Sequence, residues 1–380
     1  MKLLLLLSLS LLAVAQTPRF ARVFPGNGPK PVGPYSPGLW AGDRLYVSGQ
    51  GSRGADGQLP STPEAQIRQT LDNVKAIVEA AGLTMDHIVF SHIYYQDLAH
   101  YGTLNRVWRE YFRGTPPARA TVQVAAMPTA TPFEINAIAV RDKSVIKGVE
   151  LPGSKSPVPL SPAILIRDRA YLSGILGRDP DSGQIGSGQI GSGQIPATPA
   201  AQVSMAFDRL KRVLAAAGLD TRHMISLNVY TTAHMPEEAV SRALTANIAN
   251  RDNVAITVTR VPALPFGVNV ALHGVATRHL KPRQRQKNCV ASDGTVYCGQ
   301  FTSDDYRTTL IGLTGLLQKF TGPKANIVAS YVFLDDLKEF AAMNKLYAEL
   351  IPEPLPTRTT VQPAAAGTSP KFRISVVAEQ

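Results

Sequence analysis

Cysteine is scarce, with two copies in 380 residues. That excludes a disulfide-dense scaffold, and no paired-Cys or Cys/His spacing for structural zinc occurs. Aromatic residues make up only 7% of the chain, and none alternate with basic residues to form a base-stacking platform. Beyond the N-terminus no apolar run approaches the ~20 residues a membrane-spanning helix needs. Acidic residues are outnumbered, 28 against 39 Lys and Arg, for a net charge of +11. The surplus suits anionic ligands or a soluble basic surface. It forms no long basic arm, and its densest stretch, Lys281-Pro-Arg-Gln-Arg-Gln-Lys287, reads as a linker. A Gly-rich phosphate loop and a nucleophile elbow are also missing. His87 and His223 have no companion ligand at metal spacing and read as structural. What remains is ordinary for a globular protein, 44% hydrophobic and 18% charged, long enough for two or three domains.

One apolar run does occur. Lys2 precedes Leu3 to Leu12, and Ala13-Val14-Ala15 follows. A positive start, a short apolar stretch and a small-x-small end predict a secretory signal over residues 1–15, cut before Gln16. The expectation is an exported chain, periplasmic or secreted, with no membrane contact after cleavage. Export permits a disulfide. Cys289 and Cys298 flank Asp293-Gly294, a hairpin turn signal. A two-residue turn sets the cysteines opposite each other, close enough to bridge; another register separates them as buried thiols. Both readings stay open. Nothing nearby resembles a general base, which argues against catalytic thiol chemistry.

The chain repeats itself. Adding 136 carries Thr62-Pro63 onto Thr198-Pro199, Ala80-Ala-Gly-Leu83 onto Ala216-Ala-Gly-Leu219 and Tyr94 onto Tyr230. Adding 239 carries Asp97-Leu98 onto Asp336-Leu337, Asn105 onto Asn344, Arg119 onto Arg358 and Thr121-Val-Gln123 onto Thr360-Val-Gln362. Three copies over residues 30–143, 144–278 and 279–380 follow. In the second, the run Gly183 to Ile195 is a tandem duplication of five residues and reads as an expanded surface loop.

Each copy shows a hairpin, a helix, a strand, a second helix and two strands, the order β-β-α-β-α-β-β. Thr62 before Pro63 is a helix start, and Gly82 a stop. Leu71, Val74, Ile77 and Val78 follow helical spacing and mark a core stripe. The fold class is α+β, with helices covering one face of each sheet. Three units around an axis bury the other faces in a central β-barrel, a single-chain pseudo-trimer with its helices outside.

The first copy reads Gly33-Pro-Tyr-Ser-Pro37, Tyr46-Val-Ser-Gly-Gln50, Ala80-Ala-Gly82, Asn105, Pro116-Pro-Ala-Arg-Ala-Thr-Val122 and Phe133-Glu-Ile135. This resembles the YjgF/RidA family of reactive-intermediate deaminases over nearly the whole copy. The third copy matches well, and the second in layout only. The resemblance implies chorismate-mutase-like units with ligand clefts between neighbours, hydrolysing 2-imino acids or enamines to 2-keto acids and ammonia without metal or organic cofactor. It implies that Arg119 holds the substrate carboxylate, as a planar charged fork can, and that Glu134 positions or activates water. Tyr35, Ser48, Gly49, Asn105 and Thr121 match pocket positions, as do Ser173 and Gly174 in the second copy and Gly299, Asn344 and Arg358 in the third.

The other copies depart from that pattern. The second has Ala255 for Arg119, Ser241 for Asn105, Leu160 for Tyr35 and Gly267 for Glu134. The third has Arg373 for Glu134 and Cys298 for Ser48, with Arg285 near the Tyr35 position. At most one cleft therefore carries an Arg with a Glu, a second retains an anion-binding Arg, and the one anchored by the second copy is dead. The leading expectation is an imine hydrolase acting as a monomer on a small imino or keto acid. A non-catalytic carboxylate-binding protein is the alternative. RNA binding or cleavage has only the basic charge behind it.

Overall fold

The structure, a computed structural model, describes residues 19–154, 158–180, 194–367 and 370–380. The expected signal segment and all but the end of the five-residue duplication lie outside the described residues.

The first repeat runs β1 (Phe20–Val23), β2 (Gly38–Ala41), β3 (Arg44–Gly51), α1 (Pro63–Ala80), β4 (Ile88–Tyr95), α2 (Tyr101–Tyr111), β5 (Ala118–Gln123) and β6 (Phe133–Val140). The second runs β7 (Lys147–Val149), β8 (Ala163–Leu165), β9 (Arg169–Leu176), α3 (Pro199–Ala216), β10 (Met224–Thr231), α4 (Glu237–Asn247), β11 (Ala255–Arg260) and β12 (Val270–Thr277). The third runs β13 (Gln284–Gln286), β14 (Cys289–Ser292), β15 (Thr295–Ser303), α5 (Tyr306–Thr321), β16 (Ile327–Leu334), α6 (Phe340–Leu350), β17 (Thr357–Val361) and β18 (Phe372–Glu379). The expected order thus holds with one addition: β1, β7 and β13 add an edge strand ahead of each hairpin. Each sheet has six strands, ordered β1-β2-β3-β6-β4-β5 and its two equivalents. The β4–β5 pair and its counterparts are parallel, and the remaining neighbours are antiparallel.

Local chemistry explains the elements. The Thr62 hydroxyl accepts the Ala65 N–H, Pro63 opens α1, and Gly82 closes it at φ +76°. Ile67, Leu71, Val74, Ile77 and Val78 form the buried stripe of that helix. In the third repeat Asp293 and Gly294 both take positive φ, giving the two-residue turn that puts Cys289 opposite Cys298. The two are disulfide-bonded, with Cα atoms 4.0 Å apart.

Each sheet buries one face under its own two helices, giving one apolar cluster per repeat. The opposite faces meet in a shared interior containing Leu39, Tyr46, Ile164, Tyr171, Val290 and Tyr297 from all three repeats. Apart from a bridge between Ala126 and Gln362, the ladders of the described residues stay within their own sheets. Packing, rather than continuous strand pairing, encloses the interior. The order is cyclic: β5 lies against β9, β11 against β15, and β17 against β3. Three junctions result, and they are not equivalent.

Candidate functional site

The junction between the third and first repeats holds a cavity of about 390 Å³. Arg358, Thr360 and Phe340 line it from the third repeat; Tyr35, Gly49 and Glu134 line it from the first. Arg358 sits on β17, 3% exposed. Its Nη2 donates to Asn344 Oδ1 on α6 at 2.7 Å. The rings of Tyr35, Phe340 and Tyr347 surround its guanidinium at 5.1, 5.6 and 4.9 Å. Burial lowers its pKa, and the neighbouring Tyr347, Tyr35 and Glu134 oppose the shift. The segment around Gly33 drapes over it. A Cβ at Gly33 would approach Arg358 Nη2 to 2.5 Å and Asn344 Oδ1 to 2.9 Å, so only glycine fits there.

Glu134 lies on β6, 6% exposed. A Cβ at Gly49 would collide with its carboxyl, which explains the glycine in that strand. Burial raises the Glu134 pKa to about 8, against the opposing pull of Arg358 and a hydrogen bond from the Thr360 main chain. A carboxyl mostly protonated at neutral pH therefore faces the same cavity as a guanidinium. The Tyr35 hydroxyl accepts the Val32 N–H at 3.2 Å, and burial raises its pKa as well. The Thr360 hydroxyl is buried with no protein partner, leaving it available to a ligand.

Ser48 does something other than expected. Its N–H donates to Pro37 O at 2.9 Å and is used up within the hairpin. Its hydroxyl donates to Ser36 O at 2.6 Å and accepts the Arg358 main-chain N–H at 3.0 Å. Ser48 therefore positions Arg358. Ser173 is its counterpart, bonded to Ser161 O at 2.6 Å and to the Arg119 N–H at 2.8 Å.

Arg119 and Glu134, grouped on the sequence as the catalytic pair, lie at different junctions. Arg119 sits between the first and second repeats, 1% exposed, bonded to Asn105 Oδ1 and to the Tyr101 hydroxyl. Gly174 packs on its main chain, and Thr121 follows on the same strand. Tyr101 meets Phe266 edge-on at 5.7 Å. No carboxylate reaches this cleft from β12. In the ladders Tyr94 pairs with Glu134, and its equivalent Tyr230 with Ala271. The residue in the Glu134 place is therefore Ala271 rather than Gly267.

The same ladders correct two more equivalences. Ser91 pairs with Arg119, and Leu227, 136 residues on, pairs with Ile256. Ile256, not Ala255, stands in the Arg119 place. Val47 pairs with Ala137, and Cys298 with Val376, 239 residues beyond Ala137. Cys298 thus replaces Val47, and Gly299 replaces Ser48. Gly299 N–H donates to Asn288 O just as Ser48 N–H donates to Pro37 O. At this third junction a Cβ on Gly299 would meet the Ile256 carbonyl oxygen at 2.5 Å. Strand β11 has moved into the space, Arg373 holds the acid position, and Gly299 borders no Arg–Glu cleft.

Constant spacing made Asn344, Thr121 and Arg358 legible. It did not single out Gly33, Phe340 or Thr360, although Phe340 and Thr360 are 239 residues beyond Tyr101 and Thr121. No group of three or more His, Cys, Asp or Glu at metal-holding distance occurs among the described residues.

The family model for Endoribonuclease L-PSP matches the chain three times, over residues 25–141, 154–278 and 288–380. A RutC family protein of Saccharolobus solfataricus is 39% identical over 127 residues, 31% of this chain and 94% of that protein. The 2-iminobutanoate/2-iminopropanoate deaminase of Escherichia coli is 43% identical over 119 residues, 30% of this chain and 93% of the relative. Among solved structures, the YjgF gene product of E. coli is 40% identical, covers 32% of this chain and 99% of its own, and superposes with a TM-score of 0.31.

Proposed function

The chain belongs to the L-PSP endoribonuclease family, the family of the RidA and YjgF proteins, three times over, and from that premise we propose that it hydrolyses 2-imino acids to 2-keto acids and ammonia in the cleft between its third and first repeats. The observation that carries the reading is that Arg358 and Glu134, from different repeats, line one cavity. The name of the E. coli relative supports the reaction class.

Arg358 holds the substrate carboxylate as a fork, in a ring-lined site. Glu134, protonated at neutral pH, donates its proton to the imine nitrogen and makes the carbon electrophilic. The resulting carboxylate takes a proton from the attacking water as the C–O bond forms. That proton passes to nitrogen, the C–N bond breaks as the hydroxyl proton returns to the Glu134 carboxylate, and ammonia leaves with the keto acid. Atoms balance as imine plus water giving ketone plus ammonia. Tyr35 packs beneath the guanidinium, and Ser48, Asn344 and Gly33 position it. One chain supplies every residue, so a monomer suffices. The N-terminal pattern supports an exported protein.

The test is keto-acid release from imino acids generated in situ by an amino-acid oxidase. Faster release with the protein supports the reading. Binding of keto acids without acceleration favours a second one, a non-catalytic carboxylate binder. The Arg119 junction favours that second reading for its own cleft. Arg119 Nε and Nη1 and Asn105 Nδ2 are buried with no protein acceptor, unmet donors that an anion would satisfy, with no acid beside them to drive chemistry.

A further inference from the structure

The Arg358–Glu134 cleft is larger than a three- or four-carbon acid needs. Its volume of about 390 Å³ falls in the range of ~300–1,000 Å³ that takes drug-sized ligands. The loop after β3 supplies part of the wall and carries Arg53. Arg53 is held at both ends. Its main-chain oxygen accepts from Asn73 Nδ2 on α1 at 2.8 Å, and the same amide holds Gly51 O at 2.9 Å. Its Nε and Nη2 donate to Thr129 O at 3.2 and 2.9 Å, and its Nη1 donates to Gly57 O at 3.0 Å.

All three bonds donated by the guanidinium end on neutral carbonyls. A guanidinium has five N–H donors, so one on each terminal nitrogen is left over, and among the described residues no carboxylate forms an ion pair with it. The acid nearest in the loop, Asp56, is exposed and accepts the Gln58 N–H at 2.9 Å. Around the cavity Lys30, Arg53 and Arg358 face Asp56 and Glu134. With Glu134 carrying its proton, three cations stand against one carboxylate. A single substrate carboxylate on Arg358 still leaves one positive charge in excess.

We propose that this cleft selects 2-imino and 2-keto acids bearing a second anionic group, with Arg358 taking the carboxylate beside the reacting carbon and Arg53 the distal one. The inference rests on the assignment of Arg358 and Glu134 made above. Arg53 is then the residue that sets specificity, and it takes no part in proton transfer.

The test is calorimetric binding of two five-carbon keto acids, 2-oxoglutarate and 2-oxopentanoate, to the full mature chain and to Arg53→Gln. Glutamine keeps a donor for the loop carbonyls and removes the charge. The expected result is at least tenfold tighter binding of 2-oxoglutarate by the native chain. In Arg53→Gln that preference disappears and 2-oxopentanoate affinity is unchanged, which also shows the cleft intact. Equal affinities in the native chain, or a preference that survives Arg53→Gln, overturn the role of Arg53. If neither acid binds either protein, the reading of the Arg358–Glu134 cleft itself falls.

Discussion

The main-chain N–H of Arg358 donates to the hydroxyl of Ser48, 310 residues earlier in the chain, at 3.0 Å. Ser173 repeats the bond to Arg119 at 2.8 Å. The third junction has Gly299 at this position and cannot make it. One serine thus ties the strand bearing the buried arginine to the neighbouring repeat at two junctions. Only at the first of these does that neighbour also bring a carboxyl.

Replacing the two arginines separates the clefts. Arg358→Ala removes the buried charge proposed to bind substrate, an effect worth about 2–5 kcal/mol, so kcat/KM is expected to fall at least 30-fold in the oxidase-coupled assay. Arg119→Ala is expected to leave kcat/KM within a factor of three. The opposite ranking would move the active cleft to the first–second junction.

Glu134 gives a pH signature. With its pKa near 8, a rate that needs the protonated acid falls as pH rises through that value. Glu134→Gln lowers kcat by about 10²–10⁴ and abolishes the fall. Stability responds too. Between the ordinary carboxyl value of 4.5 and about 8 the folded chain holds a proton that the unfolded chain has lost. Native stability then drops by about 1.4 kcal/mol per pH unit across that window relative to Glu134→Gln. Urea titrations of both proteins at pH 5, 6, 7 and 8 measure it.

Ser48→Ala tests the tie between repeats. It leaves the buried Arg358 N–H without an acceptor, at a cost of about 1–3 kcal/mol. The expected outcome is a lower melting temperature and a reduced kcat/KM with the pH midpoint unmoved. A shifted midpoint would mean that Ser48 acts on Glu134 instead.

The shared interior contains a second titrating element. His92 and His273 are buried with their Nε2 atoms unpartnered, and their rings lie 4.8 Å apart. Burial lowers both pKa values, that of His273 to about 3. Between pH 3 and 6.5 the unfolded chain binds a proton that folded His273 refuses. Stability therefore rises with pH across that window and is fully present above it. His273→Gln is expected to flatten the profile by about 1.4 kcal/mol per pH unit. An unchanged slope in acid denaturation would refute the assignment.

The proposed export makes a prediction about the chain's start. Mass spectrometry of protein recovered from the exported fraction should find Gln16 as the first residue. Retention of Met1 would count against a cleaved signal.

The triplication, the helices opened by Thr-Pro and closed by Gly, and the hairpin at Asp293-Gly294 were all legible in the sequence. Each depends on a few neighbouring residues whose backbone preferences act locally. The equivalence of Arg119 and Arg358 was legible as well, because 239 residues separate the copies without a gap across those elements. The second repeat's equivalents of Arg119 and Glu134 lie one and four positions beyond Ala255 and Gly267. Its spacing from the first grows from 136 at Tyr230 to 137 at Ile256, through one extra residue in the connection to β11, and only strand pairing reveals that slip.

The pairing of Glu134 with Arg358 had no local signal at all. The sequence by itself determined that three related units exist, where their helices and turns lie, and that one acid survives beside two matching arginines. Tertiary structure alone decided which arginine that acid meets. The partners sit on opposite sides of a junction between the chain's first and last repeats, and the cyclic packing of three sheet faces, rather than any preference of the residues themselves, brings them together.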